Sequence, residues 1–250
     1  MKIAENVLGV LSRFEISQTP AGWVGTIQDG QLDRKLYLKT NQILEELGGQ
    51  WNRKLRGHLF PEDPTGQLDQ VLLLGEITRA KQELGFFETP EELARRVTYL
   101  AGAGPGVSIL EPSAGSGRIA RAAVLKGSVV SCVELDPKRA AGLAQMGYEV
   151  QQGDFLAVTP PRNPYGGVAM NPPFSRQQDI RHVTHAMRFL RPGGKLASIM
   201  STGVEFREDR RTREFRELVR LHGGRIERLP SGTFRESGTD VETVLVVMTR

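Results

Sequence analysis

The sequence has few residues that form covalent or metal cross-links. Its 250 residues include a single cysteine, Cys132, and four histidines. One thiol excludes an intramolecular disulfide and a cysteine-based zinc site. Cys132 lies within the apolar run 129–133, which favours a small buried hydrophobe over a nucleophile. His182 and His185 are three residues apart on a predicted helix with no carboxylate to complete a metal set, so we predict a solvated helix face and no metal site.

Long hydrophobic runs are missing as well. No apolar stretch approaches the roughly 20 residues that a membrane-spanning helix needs. Residues 1–11 lack the charged start, the long apolar run and the small-residue cleavage site of a secretory signal. We therefore expect a cytoplasmic, globular protein with no membrane partner. Its length is sufficient for one α/β domain with an appendage or for two small domains.

Net charge is small but unevenly distributed. The formal net charge is +4. Residues 1–85 carry 10 basic and 11 acidic side chains, whereas residues 86–250 carry 23 and 18, so the two parts have net charges of −1 and +5. Arginine outnumbers lysine, which suits contacts with phosphate. This distribution favours a polyanionic partner without identifying it.

Residues 1–85 have the pattern of a small α+β module. Asp33 predicts the N-cap of a helix that continues to Leu47, and two glycines follow that helix. A second helical run over residues 68–84 predicts the connection to the rest of the chain.

The segment 51–60 interleaves basic and apolar residues, which predicts a β-hairpin. Such a hairpin can press Arg53, Lys54 and Arg56 against a phosphate backbone. It can equally be a surface hairpin whose two aromatic residues close a small core. The sequence favours neither interpretation.

From residue 86 onward, strand and helix patterns alternate. This alternation predicts a second domain, residues 86–250, with a mostly parallel sheet covered by helices on both faces. A glycine- and serine-rich loop joins the last two strands, so we expect an antiparallel hairpin at the edge of the sheet. The predicted strands are 107–111, 129–134, 149–151, 167–170, 195–201, 225–229 and 241–248, and the predicted helices are 116–126, 137–146, 176–190 and 209–221.

Residues 110–120 have the pattern of a strand, a glycine turn and a helix start. Gly115 and Gly117 let the backbone turn tightly and approach a ligand, which the amides of the following helix can also bind. With Ala120 they match the dinucleotide fingerprint, and Glu134 follows at the end of the next strand, where a carboxylate binds ribose hydroxyls. This pattern fits a nicotinamide dehydrogenase as well as a methyltransferase.

Two further strand ends favour the methyltransferase. Glu111 places a carboxylate where a pyrophosphate would be repelled and the ammonium group of S-adenosylmethionine attracted. Asp154 supplies an acceptor for the exocyclic amine of adenine, and Phe155 supplies an aromatic ring to cover it. Open α/β sheets bind ligands at the carboxyl ends of their strands, which is where these residues fall.

The next strand ends in Asn171-Pro172-Pro173-Phe174. These residues offer an amide oxygen, a backbone carbonyl that proline holds in a defined direction, and a flat ring. They predict a pocket for a planar molecule that bears an amino group. In isolation the tetrapeptide is more often a turn at a strand end, but beside the cofactor motifs it favours a methyl-acceptor site.

In this order, and preceded by Phe-Phe-Glu-Thr-Pro at residues 86–90, the motifs resemble those of the amino-group DNA methyltransferases, in particular small phage or plasmid-type members with an N-terminal module. The resemblance implies a Rossmann-like class I fold with a seven-stranded sheet, and S-adenosylmethionine as cofactor. The cofactor-binding residues that it implies are Phe87, Thr89, Pro90, Glu111, Ser113, Ala114, Gly115, Gly117, Glu134, Leu135, Asp154, Phe155 and Asn171.

The resemblance also assigns Asn171, Pro172, Pro173 and Phe174 to catalysis on adenine N6 of double-stranded DNA. The Asn171 side-chain oxygen and the Pro172 carbonyl would each accept one amine hydrogen, and Phe174 would stack on a base flipped out of the duplex. Cytosine N4, adenine in RNA and a glutamine amide in a protein remain alternatives, as does an inactive nucleic-acid-binding relative.

Several cationic side chains are candidates for contact with nucleic acid. No segment between the predicted strands is long enough for a separate recognition domain, so we expect loose sequence specificity. The oligomeric state is not indicated. The candidate contacts are Arg53, Lys54, Arg56, Arg176, Arg207, Arg210 and Arg211.

Overall fold

A computed structural model of the protein describes residues 2–20, 22–28, 30, 32–76, 87–237 and 241–250. The chain divides into two compact units. One comprises Met1–Gln82 with Glu205–Arg213, and the other comprises Glu83–Val204 with Glu214–Arg250. The first unit thus includes a stretch from within the predicted second domain. The predicted boundary between residues 85 and 86 lies outside the described residues.

The described residues of the first unit before position 77 form a four-stranded antiparallel sheet and three helices. The elements are α1 Glu5–Ser12, β1 Glu15–Thr19, β2 Gly22–Thr26, α2 Arg34–Glu46, β3 Gln50–Asn52, β4 Gly57–Phe60 and α3 Thr65–Leu74. The strand order is β1-β2-β4-β3. Apolar side chains of these three helices pack with Phe60 of the sheet into one core.

Most local predictions for this unit are confirmed. Asp33 caps α2, because its carboxylate accepts hydrogen bonds from the Lys35 and Leu36 amides. The antiparallel pair β3–β4 is the predicted hairpin. The predicted helix 68–84 is wrong at its C-terminal side, because α3 ends at Leu74 and Gly75 follows in the left-handed conformation that terminates helices. Residues 77–84 lie outside the described residues.

The second unit has a seven-stranded sheet. Its elements are α4 Glu91–Leu100, β5 Ser108–Glu111, α5 Arg118–Val124, β6 Val129–Glu134, α6 Pro137–Gln145, β7 Glu149–Gln152, β8 Tyr165–Met170, α7 Gln178–Ala186, β9 Leu190–Ser201, α8 Gly203–Phe206, α9 Arg210–Leu221, β10 Arg225–Arg228 and β11 Thr243–Thr249, with residues 205–213 counted in the first unit. The strand order is β10-β11-β9-β8-β5-β6-β7.

The sheet has the predicted architecture. Strands β5 to β9 pair in parallel, whereas β11 is antiparallel to both of its neighbours and closes the edge with β10. Val168 of β8 and Leu196 of β9 are fully buried, as expected for central strands that are covered on both faces. The predicted helix 176–190 is shorter than expected, because β9 begins at Leu190.

The order of connections determines where a ligand can bind. From β5 the chain proceeds outward to β6 and β7, and it then returns to place β8 on the other side of β5. Neighbouring connections therefore diverge between β5 and β8, which leaves a crevice at the carboxyl ends of these strands. Among the described residues, no helix is long and apolar enough to cross a membrane.

Candidate active site

A cavity of about 640 Å³ opens at the carboxyl ends of β5, β6, β7 and β8. Of the predicted catalytic and cofactor residues, only Pro90 and Gly117 do not line it. Gly117 has a structural role instead, since it is left-handed at the start of α5, and a Cβ there would lie 2.6 Å from Leu143 Cδ2. The lining residues that the sequence predicted are Phe87, Thr89, Glu111, Ser113, Ala114, Gly115, Glu134, Leu135, Asp154, Phe155, Asn171, Pro172, Pro173 and Phe174.

Asn171 has an unusual pattern of hydrogen bonds. Its amide nitrogen Nδ2 donates to the Phe87 carbonyl and to Thr89 Oγ1, each at 3.1 Å. Because a backbone carbonyl can only accept, these contacts fix which end of the amide is nitrogen. The other end, Oδ1, is buried and has no hydrogen-bond partner among the described residues. A buried acceptor without a partner costs roughly 1–3 kcal/mol, and the described residues supply no donor for this oxygen.

The turn after Phe174 is strained. Arg176 and Gln177 are consecutive non-glycine residues with positive φ, 53° and 55°. Each left-handed residue of this kind costs roughly 1–2 kcal/mol, and such strain persists only where the surroundings enforce it. The helix that follows is anchored, because the buried Asp179 carboxylate accepts hydrogen bonds from the amide and the hydroxyl of Ser201 at the end of β9. The Asn171–Phe174 segment therefore lies between two fixed elements.

Phe174 does not present a free ring face. It is 5% exposed and stacks on Phe87, with 6.2 Å between ring centroids and 29° between ring planes. Phe87 thus covers the face that was predicted to stack on a base, and its ring would have to move for a base to stack there.

Glu134 organises the glycine turn. Its Oε2 accepts a hydrogen bond from the Gly115 amide at 2.7 Å. Its Oε1 accepts from the Asp136 amide at 2.9 Å and from Arg139 Nε at 3.1 Å. Both carboxylate oxygens are therefore already bonded within the chain, which fixes the turn at the mouth of the cavity.

Glu111 is buried at the end of β5 and caps a helix, since it accepts a hydrogen bond from the Ala120 amide at 2.6 Å. Burial raises the pKa of its carboxyl well above the ordinary value; the Ala120 hydrogen bond opposes this, and the nearby Glu134 adds to it. Among the described residues, no cation forms an ion pair with Glu111. A ligand cation beside this carboxylate would stabilise its ionised form.

The β7 end of the cavity differs from the prediction at Phe155. That ring is 2% exposed and packs in the core against His185 and Phe189, with 4.9 Å and 5.0 Å between centroids. It therefore offers little surface for covering an adenine. Asp154 is exposed and accepts a hydrogen bond from the Leu156 amide. Leu135, by contrast, lines the cavity and is 67% exposed, which leaves an apolar surface for a flat ring.

The prediction of a solvated face for His182 and His185 is wrong. His182 is 7% exposed, lines the cavity and places Nδ1 3.3 Å from Ser113 Oγ. His185 Nε2 lies 3.0 Å from the Val158 carbonyl. Both rings contact Phe155. The signal was present in the sequence, because both histidines are spaced like the buried apolar residues of the same helix.

The side chains predicted to contact nucleic acid are exposed, with the exception of Arg207. Arg53, Lys54 and Arg56 are exposed in the β3–β4 turn, and Arg176, Arg210 and Arg211 are also exposed. Arg207 is a correction, because it is 7% exposed and lies 3.9 Å from Asp69 inside the first unit. A side chain that is buried in this way cannot reach a phosphate backbone.

Solved structures with a similar fold exist at low sequence identity. A protein assigned as a class I S-adenosylmethionine-dependent methyltransferase from Listeria monocytogenes aligns with 88% of this chain and 75% of its own length, at 17% identity and a TM-score of 0.54. The chain has the class I methyltransferase fold. No protein-family model matches it, and no curated protein sequence matches it.

Other proteins with the class I methyltransferase fold differ in what they are assigned to modify. A modification subunit assigned to a type I restriction enzyme from Vibrio vulnificus aligns with 97% of this chain and 64% of its own, at 18% identity and a TM-score of 0.55. A protein assigned as an RNA methyltransferase from Pyrococcus horikoshii aligns with 69% of this chain and 90% of its own, at 21% identity and a TM-score of 0.50.

Proposed function

We propose that this protein transfers a methyl group from S-adenosylmethionine to the exocyclic N6 of an adenine that is flipped out of duplex DNA. The observation that supports this most directly is the buried, unpartnered Oδ1 of Asn171 at the edge of the cavity. Its position calls for a hydrogen-bond donor, and the amino group of a base is a donor of the right kind. The class I methyltransferase fold is consistent with this chemistry.

The cavity residues fit S-adenosylmethionine. Glu111 would face its ammonium group, because this buried carboxylate has no cation partner within the described part of the chain. Glu134 Oε2, which accepts one hydrogen bond from the Gly115 amide, would use its second lone pair for a ribose hydroxyl. Leu135 would cover the adenine with its exposed apolar side chain. When bound, the cofactor supplies a methyl group that is already activated by the positive sulfonium.

The chain's own contribution to the reaction is alignment. The exocyclic nitrogen of adenine shares its lone pair with the ring and is a weak nucleophile. If Asn171 Oδ1 and the Pro172 carbonyl each accept one of its hydrogens, the lone pair is directed to one side. Preorganised acceptors of this kind act without a strong general base. The bonds from Asn171 to Phe87 and Thr89 keep the acceptor in place.

Exposed arginine and lysine side chains support nucleic acid as the partner. Arg53, Lys54 and Arg56 occupy one exposed turn, and none of them forms an ion pair with another described residue. We propose that this turn contacts phosphates. Arg176, Arg210 and Arg211, which are also exposed, are separate candidates for such contacts. The modification subunit from Vibrio vulnificus favours DNA as the substrate, whereas the Pyrococcus horikoshii protein supports RNA as the second candidate.

Nucleoside mass spectrometry tests the substrate. The protein is incubated with isotopically labelled S-adenosylmethionine and, in parallel, with duplex DNA, RNA and a protein extract. We expect labelled N6-methyladenine from DNA and little label elsewhere. Label confined to RNA or protein would overturn the proposal. Sequencing of the modified DNA should show many sequence contexts, and methylation confined to one motif of about six or more bases would contradict loose specificity.

Charge reversal tests the contact turn. We expect the triple variant Arg53→Glu/Lys54→Glu/Arg56→Glu to weaken duplex binding and to reduce the slope of log K against log salt by about 2–3, because each lost phosphate contact removes about 0.9. The matched control reverses Arg34, Lys35 and Lys39, three exposed cations on α2 of the same unit. Equal losses in both triple variants would show that only net charge matters.

A further inference from the structure

His182 is a buried polar residue that the proposed chemistry does not use. It lies on α7 and is 7% exposed, and its ring lines the cavity between the loop after β5 and the turn after β7. The start of α7 is anchored through Asp179, three residues before His182.

The contacts of Ser113 favour a proton on Nδ1 of His182. Ser113 Oγ donates to the Pro112 carbonyl at 2.8 Å. The same oxygen lies 3.3 Å from His182 Nδ1 and has no second hydrogen to give, so we assign the proton of the neutral ring to Nδ1. This assignment leaves a lone pair on Nε2, which has no hydrogen-bond partner among the described residues.

Burial keeps this imidazole neutral. It lowers the pKa of His182 to about 4, and the partly opposing charge of Asp154 does not restore it. At neutral pH Nε2 is therefore an acceptor and not a donor. A neutral acceptor that is buried beside a cavity selects for ligands that bring an N–H or O–H group to it.

The neighbours of His182 indicate which part of a ligand it meets. Its ring lies against Phe155, with 5.7 Å between centroids and a 51° tilt. Phe155 also lines the cavity but is itself buried, and its ring packs beside the imidazole of His182. Asp154, in the same turn, was predicted to accept a hydrogen bond from an adenine amine. His182 thus faces the end of the cavity that fits a purine edge.

We propose that His182 Nε2 accepts a hydrogen bond from the exocyclic amine of the cofactor's adenine and that His182 thereby selects adenine over a 6-oxopurine. This inference rests on the cofactor part of the proposed function and not on the identity of the methylated substrate.

A pair of ligands isolates this contact. S-adenosylhomocysteine carries the amine, whereas S-inosylhomocysteine carries a carbonyl oxygen at the same ring position. We expect calorimetric titration of the wild-type protein to show tighter binding of the adenosyl ligand. In His182→Phe, which keeps a ring against Phe155, the ratio of the two dissociation constants should fall by about fivefold, the effect of one hydrogen bond. His182→Leu should show the same fall and serves if the phenylalanine variant does not fold.

His185→Phe is the matched control. It alters the same helix and the same contact with Phe155, but His185 does not line the cavity. Its ratio of dissociation constants should equal that of the wild type. An unchanged ratio in folded His182 variants, or an equal fall in His185→Phe, would overturn the inference.

The two proposals fail in different ways. Wild-type protein that prefers the adenosyl ligand but methylates no DNA would overturn the proposed substrate and leave the role of His182 intact. Wild-type protein that methylates DNA while its His182 variants keep the wild-type ratio would do the reverse.

Discussion

The side-chain acceptors Glu134 and Asn171, on two sides of the cavity, differ in how many of their oxygens are hydrogen-bonded within the protein. At Glu134, both carboxylate oxygens are bonded to the chain's own donors, Gly115, Asp136 and Arg139. At Asn171, the amide nitrogen is anchored, and the buried oxygen has no partner among the described residues. The first arrangement fixes the shape of the glycine turn without a ligand. The second leaves an acceptor that, in the proposed function, receives the amino group to be methylated.

Removing the unpaired acceptor should have the largest effect. We expect Asn171→Ala to lower the rate of methyl transfer by about 100- to 1,000-fold, as for other preorganised catalytic groups. Affinity for S-adenosylhomocysteine should change by less than about threefold, because the acceptor serves the methylated group. Single-turnover kinetics and calorimetry measure the two quantities. Equal losses in the rate and in the affinity would show that Asn171 acts on the cofactor as much as on the methylated group.

Thr89→Val separates anchorage from acceptance. It removes one of the two bonds that orient the Asn171 amide but keeps the amide oxygen itself. We expect a rate loss of about tenfold, smaller than that of Asn171→Ala, because the Phe87 carbonyl still holds the nitrogen. A rate loss as large as that of Asn171→Ala would mean that the orientation of the Asn171 amide accounts for the whole effect of the alanine variant.

A change at Glu134 should have the opposite effect, lowering cofactor affinity more than the rate. In Glu134→Gln, an amide NH₂ would face either the Gly115 or the Asp136 amide, so one donor meets another. We expect affinity for S-adenosylhomocysteine to fall about tenfold, while the rate at saturating cofactor stays within about threefold of wild type. Asp136→Asn, which keeps an oxygen for the Arg139 amide, is the control and should leave cofactor affinity unchanged.

Glu111 should give the smallest effect, seen in the pH dependence of stability. Its folded-state pKa is raised, so the unfolded chain ionises first as pH increases. The free energy of unfolding should therefore decrease from the ordinary glutamate pKa toward the raised one. One group can contribute a slope of at most about 1.4 kcal/mol per pH unit. Urea denaturation should show a flatter profile for Glu111→Gln, and identical profiles would contradict this assignment.

The sequence was sufficient for the sheet and for the positions of the main motifs. Central strands such as β8 are apolar on both faces, so their pattern is continuous and easily recognised. Parallel strands also bring their carboxyl ends to one edge, which explains why Glu111, Glu134 and Asn171 line one cavity. The end of α3 is an exception, because the sequence pattern predicted a helix to residue 84, whereas Gly75 ends it in the left-handed conformation.

Tertiary neighbours account for what the sequence could not give. The spacing of α7 indicates a buried face, but it does not say that Phe155 lies beneath that face and leaves His182 at the cavity. Arg207 resembles any other arginine of its segment, and only its proximity to Asp69, far away in the chain, distinguishes it. The roles of hydrogen bonds inside the cavity, such as those of Glu134, likewise depend on the folded geometry.

The left-handed pair Arg176 and Gln177 has a consequence for protein engineering. Glycine adopts this conformation without the steric penalty, so a selection for heat resistance alone would favour glycine at either position, with a gain of about 1 kcal/mol. A selection for methylation would oppose the same change, because a freer backbone would hold Phe174 less firmly. One library that varies both positions can be selected separately for heat resistance and for methylation. The difference between the residues enriched in the two selections would show how much free energy of unfolding the active protein loses at this turn.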